Sequence, residues 1–304
     1  MLIAHLSDLH LRDESDAVEF DRQLDCIAAE PVDHLVITGD LLDRWNPPLL
    51  ERALDALAAR AFLDPARVTI IHGNHDLASS GGHPREQRDL LRLALRFWDP
   101  PPLLRWRHRR FYRLLAARSA PLGILPPFRK DLGGGLTLAA VDSVPFPWVP
   151  LTFSAGGITL QHARGAIAPR ELAWLAAQKS ERLALLMHHY PLDAGAFSWR
   201  YDRWRRNGSS PWLSRLGRLS VTVPMDVKER NRERLWAAIE QSQAFAVFCG
   251  HLHRARLDHR GAVAVALNGQ SGAEWAGRTI AFYRIEGRSV AAEQRQLPDS
   301  VIGA

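Results

Sequence analysis

Apolar runs of four or five residues alternate with longer amphipathic stretches through the first hundred positions, the pattern of βαβ units rather than of a bundle or a sandwich. Residues 2–6 (LIAHL) read as a strand. Over 16–29, Phe20, Leu24 and Ile27 recur at i, i+4 and i+7, which predicts a helix that stops before Pro31. Residues 35–38 predict a second strand, 48–60 a helix with proline near its start, and 68–71 a third strand. Three strands with two intervening helices predict a largely parallel sheet.

The later pattern is less regular. Strands are predicted at 136–141, 183–187 and 244–248, and helices at 169–178 and 231–243. Short β-like runs at 262–267, 279–285 and 289–293, separated by glycine, predict a meander that closes a second sheet. Residues 100–135 and 193–230 interrupt the rhythm and are expected to be loops or caps inserted into a single domain spanning 1–304.

Five polar clusters stand out, four of them directly after a predicted strand, where open α/β sheets gather their ligand-binding residues. They are Asp8-Leu9-His10; Gly39-Asp40 with Asp43; Gly73-Asn74-His75-Asp76; His188-His189; and Gly250-His251-Leu252-His253. Side chains two apart at a strand end point to the same side, so Asp8 and His10, or His251 and His253, can reach one ion. The mixture of carboxylate or amide oxygen with imidazole nitrogen suits Mn, Fe or Zn. Seven donors are too many for one tetrahedral ion and suit two, provided that one carboxylate bridges. Such a pair clamps phosphoryl oxygens and lowers the pKa of a bound water.

The ordered set DxH, GDxxD, GNHD, HH and GHxH resembles the calcineurin-like binuclear metallophosphoesterase superfamily, in its bacterial phosphodiesterase-type branch, from Asp8 to His253. The resemblance implies an α/β fold, a four-layer α/β/β/α sandwich of two mixed sheets with flanking helices. It also implies that Asp8, His10 and His253 hold one metal, that Asn74, His188 and His251 hold the other, and that Asp40 bridges them. A metal-bridging hydroxide would attack phosphorus, and His75 would contact the phosphate and assist the leaving oxygen. Asp43 or Asp76 would orient a ligand histidine from behind. His189 faces away from its neighbour and is expected in the core or in a supporting role. His5, His34, His72, His83, His108, His162 and His259 have no spacing partner and are expected to serve structure.

Composition narrows the reading. The 304 residues are 46% hydrophobic and 24% charged, which excludes a disordered tail or a small disulfide scaffold. The net charge of +6 comes from 39 Lys and Arg against 33 Asp and Glu, and only three of the cations are lysines. Two distant cysteines, the absence of a charged n-region before Leu6 and the absence of a long apolar run predict a reduced cytoplasmic protein, at most peripheral at the inner membrane surface. Six arginines at 104–118 and six at 197–218 are interleaved with aromatics. Such segments can grip phosphates, stack on bases or lie among lipid headgroups.

Hydrolysis of a small nucleotide-like phosphodiester, cyclic nucleotides included, is the function these features favour. The segment 165–175, with Trp174-Leu175, is similar to the branch containing cyclic-nucleotide phosphodiesterases. The alternatives are a lipid-linked nucleotide pyrophosphatase at a membrane surface, a DNA nuclease, and a non-catalytic binding module of the same fold.

Overall fold

The computed structural model describes residues 1–79, 99–144, 146, 151–154, 157–160, 164–194, 196–200, 220–224, 227–269 and 279–296. The first sheet holds β1 (Leu2–Leu6), β2 (His34–Ile37), β3 (Val68–Ile70), β14 (Thr279–Glu286) and β15 (Ser289–Gln296) in the order β15-β14-β1-β2-β3. β1, β2 and β3 run parallel, and β14 and β15 add an antiparallel edge. The second sheet has the order β12-β13-β11-β8-β5-β4, from β4 (Phe128–Asp131), β5 (Leu136–Ala140), β8 (Arg182–Leu186), β11 (Ala246–Cys249), β12 (Arg256–Arg260) and β13 (Val263–Leu267). Its four inner strands are parallel and its two edges antiparallel.

Period-2 alternation builds the four layers. In β1, Ile3 faces the second sheet, whereas Ala4 and Leu6 face helices. In β11, Ala246 and Phe248 face the first sheet, and Val247 and Cys249 turn outward. Helices α1 (Glu14–Ala28) and α2 (Pro47–Ala59) cover the outer face of the first sheet. α1 is capped by the Asp13 carboxylate, which accepts from Ser15 N and Asp16 N, and it buries Phe20, Leu24 and Ile27. Helices α4 (Pro169–Ala177) and α5 (Glu229–Ser242) cover the second sheet, α5 burying Leu235, Trp236 and Ile239.

The segment 100–135, expected to be a loop or cap, instead contains a helix and an edge strand. α3 (Pro101–Arg118) buries Leu104, Phe111, Tyr112 and Leu115 against α2 and the first sheet, at about 1.5–3 kcal/mol for each large apolar side chain. Its paired prolines occupy the first turn, where no intrahelical N–H is required. Arg107 turns inward, donating to Leu77 O at 2.8 Å and Asp99 Oδ1 at 3.0 Å, so one of the arginines is a tether rather than a surface charge.

The segment 193–230, expected as a loop or cap, contributes two strands. β9 (Ala196–Arg200) and β10 (Ser220–Pro224) join β6 (Leu151–Ser154) and β7 (Gly157–Leu160) in a third sheet, ordered β6-β7-β10-β9, that the sequence pattern did not reveal. Residues 201–219, which carry most of the second aromatic and basic run, lie outside the described residues. Among the described residues, no helix is long and apolar enough to cross a membrane.

Candidate metal centre

The five motifs follow the C-terminal ends of β1, β2 and β3 in one sheet and of β8 and β11 in the other. The two sheets are packed face to face, so these ends meet at one rim. The turns that leave β1, β2 and β11 are unusual. Asp8, His10, Asp40, His251 and His253 all have φ between 48° and 75°, a region that non-glycine residues rarely occupy and that clusters at functional sites. The strained turns curl the ligand-bearing side chains back over the sheet ends. Glycines supply clearance where these turns meet: a Cβ on Gly73 would land on the Asp40 carboxylate, and one on Gly250 would strike Ser7 and Asp8.

Three groups of donors result. Asp8, His10 and His253 converge on one point, Asp40, His188 and His251 on a second, and His10, Asp40 and His75 on a third. His253 Nε2 lies 3.4 Å from Asp8 Oδ1 and 3.1 Å from His10 Nε2. His188 Nε2 lies 3.0 Å from Asn74 Oδ1, 3.3 Å from Asp40 Oδ2 and 3.2 Å from His251 Nδ1. His10 Nε2 is 3.8 Å from Asp40 Oδ2. Asp40 thus stands between the first two groups.

The residues fit a pair of cations. Asp40 Oδ2 is buried without a hydrogen-bond partner, and so is His251 Nε2; an unpaired buried carboxylate oxygen is costly unless a cation completes it. His188 donates from Nδ1 to Thr38 O at 2.9 Å, which turns Nε2 toward Asn74 and Asp40. Asp8 accepts from His251 N at 3.0 and 2.9 Å, coupling the turn after β1 to the turn after β11.

Burial and mutual charge set the protonation of the cluster. Burial, with the charge of Asp40, pushes Asp8 up to about 6 against the pull of His188. Burial also works against Asp40, but His188 and His75 hold it well below the usual carboxylate range. Burial lowers His188, yet Asp40 and Asp8 outweigh it and raise the ring to about 9. Burial above all keeps His251 and His253 well below the ordinary imidazole value, as neutral donors.

The residues behind the cluster differ in their work. Asp43 lies 3.7 Å from His10 Nδ1 through its carboxylate, and its carbonyl accepts from His75 Nδ1 at 2.9 Å. Asp76 touches backbone rather than a ligand ring: it accepts from Leu42 N and Gly73 N, both at 2.8 Å, and so joins the turns after β2 and β3. His189 is buried, with Nδ1 3.1 Å from Ser143 Oγ and its ring 4.4 Å from that of His251. Ser143 escaped the sequence reading. Its Oγ accepts from His188 N and His189 N at 3.2 and 3.0 Å. The available signal was a polar pair, Asp142-Ser143, directly after a buried strand. His72 and His108, which lack any spacing partner in sequence, meet Asp142 through space.

A family model described as calcineurin-like phosphoesterase matches residues 1–255. No curated protein matches the chain. Among solved structures, a dimetal phosphatase from Danio rerio is similar over 97% of this chain and 98% of its own, at 12% identity and a TM-score of 0.54. A phosphopantetheinyl hydrolase from Mycobacterium tuberculosis aligns over 99% of this chain and 97% of its own, at 16% identity and a TM-score of 0.45. The first likeness is one of fold, and it agrees with two mixed sheets between helices.

Proposed function

Because the chain belongs to the calcineurin-like phosphoesterase family and is a metal-dependent phosphoester hydrolase, we propose that it cleaves a small nucleotide-like phosphodiester at the rim where the two sheets meet. The observation that carries this reading is the position of Asp40, a buried carboxylate with an unpartnered oxygen, between two donor groups drawn from both sheets. In this reading Asp8, His10 and His253 hold one ion, Asn74, His188 and His251 hold the other, and Asp40 serves both. Residues 1–304 act as one catalytic domain. Mn, Fe and Zn all accept this donor set. When bound, the ions supply Lewis acidity toward the phosphoryl oxygens and activate a water.

The chain's own groups do the remaining work. The turn strain and the Gly73 and Gly250 contacts fix the donors before substrate arrives. His75 donates from Nδ1 to the Asp43 carbonyl, so its Nε2 is free for the phosphate. Burial lowers the pKa of His75, while Asp40 and Asp43 oppose that effect. The net lowering leaves a proton at Nε2 weakly held, so one taken up there can pass to the departing oxygen. The experiment is hydrolysis of bis(p-nitrophenyl) phosphate against p-nitrophenyl phosphate, with Mn, Fe or Zn, followed by a panel of cyclic nucleotides, nucleoside diphosphate lipids, glycerophosphodiesters and single-stranded DNA. Preference for the diester supports the proposal. Preference for the monoester overturns the diesterase assignment, and no turnover with any metal would favour a non-catalytic binding module.

A second reading, action at an anionic surface, is favoured by one face of α3. Arg105, Trp106, Arg109, Arg110 and Arg113 are exposed along it, Trp106 by 54%. Flotation with phosphatidylglycerol vesicles tests it: binding that Trp106→Ala and Arg109→Glu weaken supports surface action, and no binding excludes it.

A further inference from the structure

Three side chains outside the proposed ion pair converge on a point of their own. His72 follows β3, His108 comes from the buried face of α3, and Asp142 follows β5. One donor atom from each lies within 4.8 Å of the other two. His72 Nε2 is 3.3 Å from Asp142 Oδ1, and His108 Nε2 is 3.8 Å from Asp142 Oδ2. The two rings stand 4.4 Å apart.

Both Nε2 atoms are buried, and neither makes a hydrogen bond. His72 is 2% exposed and His108 9%. Two such nitrogens left unmade cost about 1–3 kcal/mol each, so their convergence on one carboxylate calls for a common partner. The surroundings orient the His72 ring as outer partners orient metal ligands. His72 Nδ1 lies 3.0 Å from Tyr112 Oη; when it donates there, the Nε2 lone pair faces the cluster. Asp142 is held by its own turn, with Oδ1 accepting from Val144 N at 2.8 Å. Aromatic rings wall the point, Phe111 beside His72 and Phe146 beside His108.

We propose that His72, His108 and Asp142 form a third divalent-cation site, separate from the pair, which binds Zn²⁺ or a similar borderline ion and pins α3 across the ends of β3 and β5. Two imidazole nitrogens and one carboxylate suit zinc or ferrous iron rather than calcium or magnesium. Three protein ligands leave a further position for water or a substrate oxygen. The proposal stands on these residues and not on the ligand assignment of the pair.

The test is zinc stoichiometry of the full chain by equilibrium dialysis and elemental analysis. Wild type is expected to bind three equivalents, and His108→Ala and Asp142→Asn two. Asp40→Ala is expected to lose the pair and keep one, which separates failure of this site from failure of the other reading. Saturation of wild type at two equivalents, or three retained in both His108→Ala and Asp142→Asn, overturns the proposal. Should these variants not fold, anomalous scattering at the zinc edge from wild-type crystals decides. A peak about 2.0–2.1 Å from both Nε2 atoms supports the site, and its absence leaves only a buried His–Asp contact and overturns it.

Discussion

The two sheets contribute unequally to the rim they share. The turns after β1, β2 and β3 carry every carboxylate and amide donor, Asp8, Asp40 and Asn74, along with His10 and His75. The turns after β8 and β11 carry only imidazoles, His188, His189, His251 and His253. The first sheet therefore supplies the anionic charge that draws cations, and the second supplies imidazole nitrogens that narrow the choice of ion. The groups Asp8–His10–His253 and Asp40–His188–His251 each take members from both sheets, whereas His10, Asp40 and His75 come from the first alone. Binding an ion would thus join the sheets at their rim, where Asp8 and His251 N already form a bridge.

The sharpest way to break this asymmetry is to remove the charge shared by both groups. Asp40→Ala is expected to lower turnover by well over the roughly 100-fold that supporting residues of a metal site command, with loss of both paired ions. His251→Ala removes one neutral donor from the imidazole side and is expected to lose one ion and less activity. Elemental analysis beside diester hydrolysis checks both. Equal damage from the two substitutions would show that the halves are equivalent.

Chelation is expected to come next in size. If ions join the sheets, removing them costs about 2.7 kcal/mol for each site that had been held at 100 times its Kd. Thermal melts with and without EDTA measure this, and an unchanged melting temperature would show that the ions do not crosslink the fold. Asp76→Asn is milder: it weakens the tie between the turns after β2 and β3 without touching a donor, for an expected 10–100-fold loss in turnover. A loss confined to thermal stability would place Asp76 outside the catalytic support.

Much of this was legible in the chain because it depends on local order. The strand at 183–187 is a bare apolar run and that at 2–6 is broken only by His5, and four of the five motifs sit directly behind such a strand, so sequence adjacency reported spatial adjacency. What escaped is what local order does not encode. α3 was obscured by its arginines, although its apolar positions follow helical spacing. The third sheet pairs strands whose partners lie up to some sixty residues away. His72, His108 and Asp142 come from three separate elements with no repeat between them, so only the packing of α3 against both strand ends brings them together. Of the two carboxylates offered for orienting a ring, Asp43 lies beside His10 and Asp76 serves the backbone.

One smaller prediction separates the acid response of the fold from that of the metal rim. His34 is buried on β2, with Nδ1 donating to Ala66 O at 2.9 Å and Nε2 2.8 Å from Thr69 Oγ1. Burial, with the nearby charge of Lys130, lowers its pKa from 6.5 to about 4. Between those values the unfolded chain binds a proton that the folded chain refuses, so stability falls as pH falls through that window and levels off below about 4. At pH 5.5 the loss is about 1.4 kcal/mol, one pH unit below the unfolded value. Urea melts in EDTA remove competition between protons and ions; His251 and His253, also held low, still titrate in this window, so the difference between wild type and His34→Gln isolates the His34 term. His34→Gln is expected to be weaker at pH 8, through its altered hydrogen bonds, but to lose less stability than wild type between pH 6.5 and 5.5. Parallel losses in the two proteins would assign the acid sensitivity to groups other than His34, with the buried His5, lowered to about 3 by burial, the next to replace.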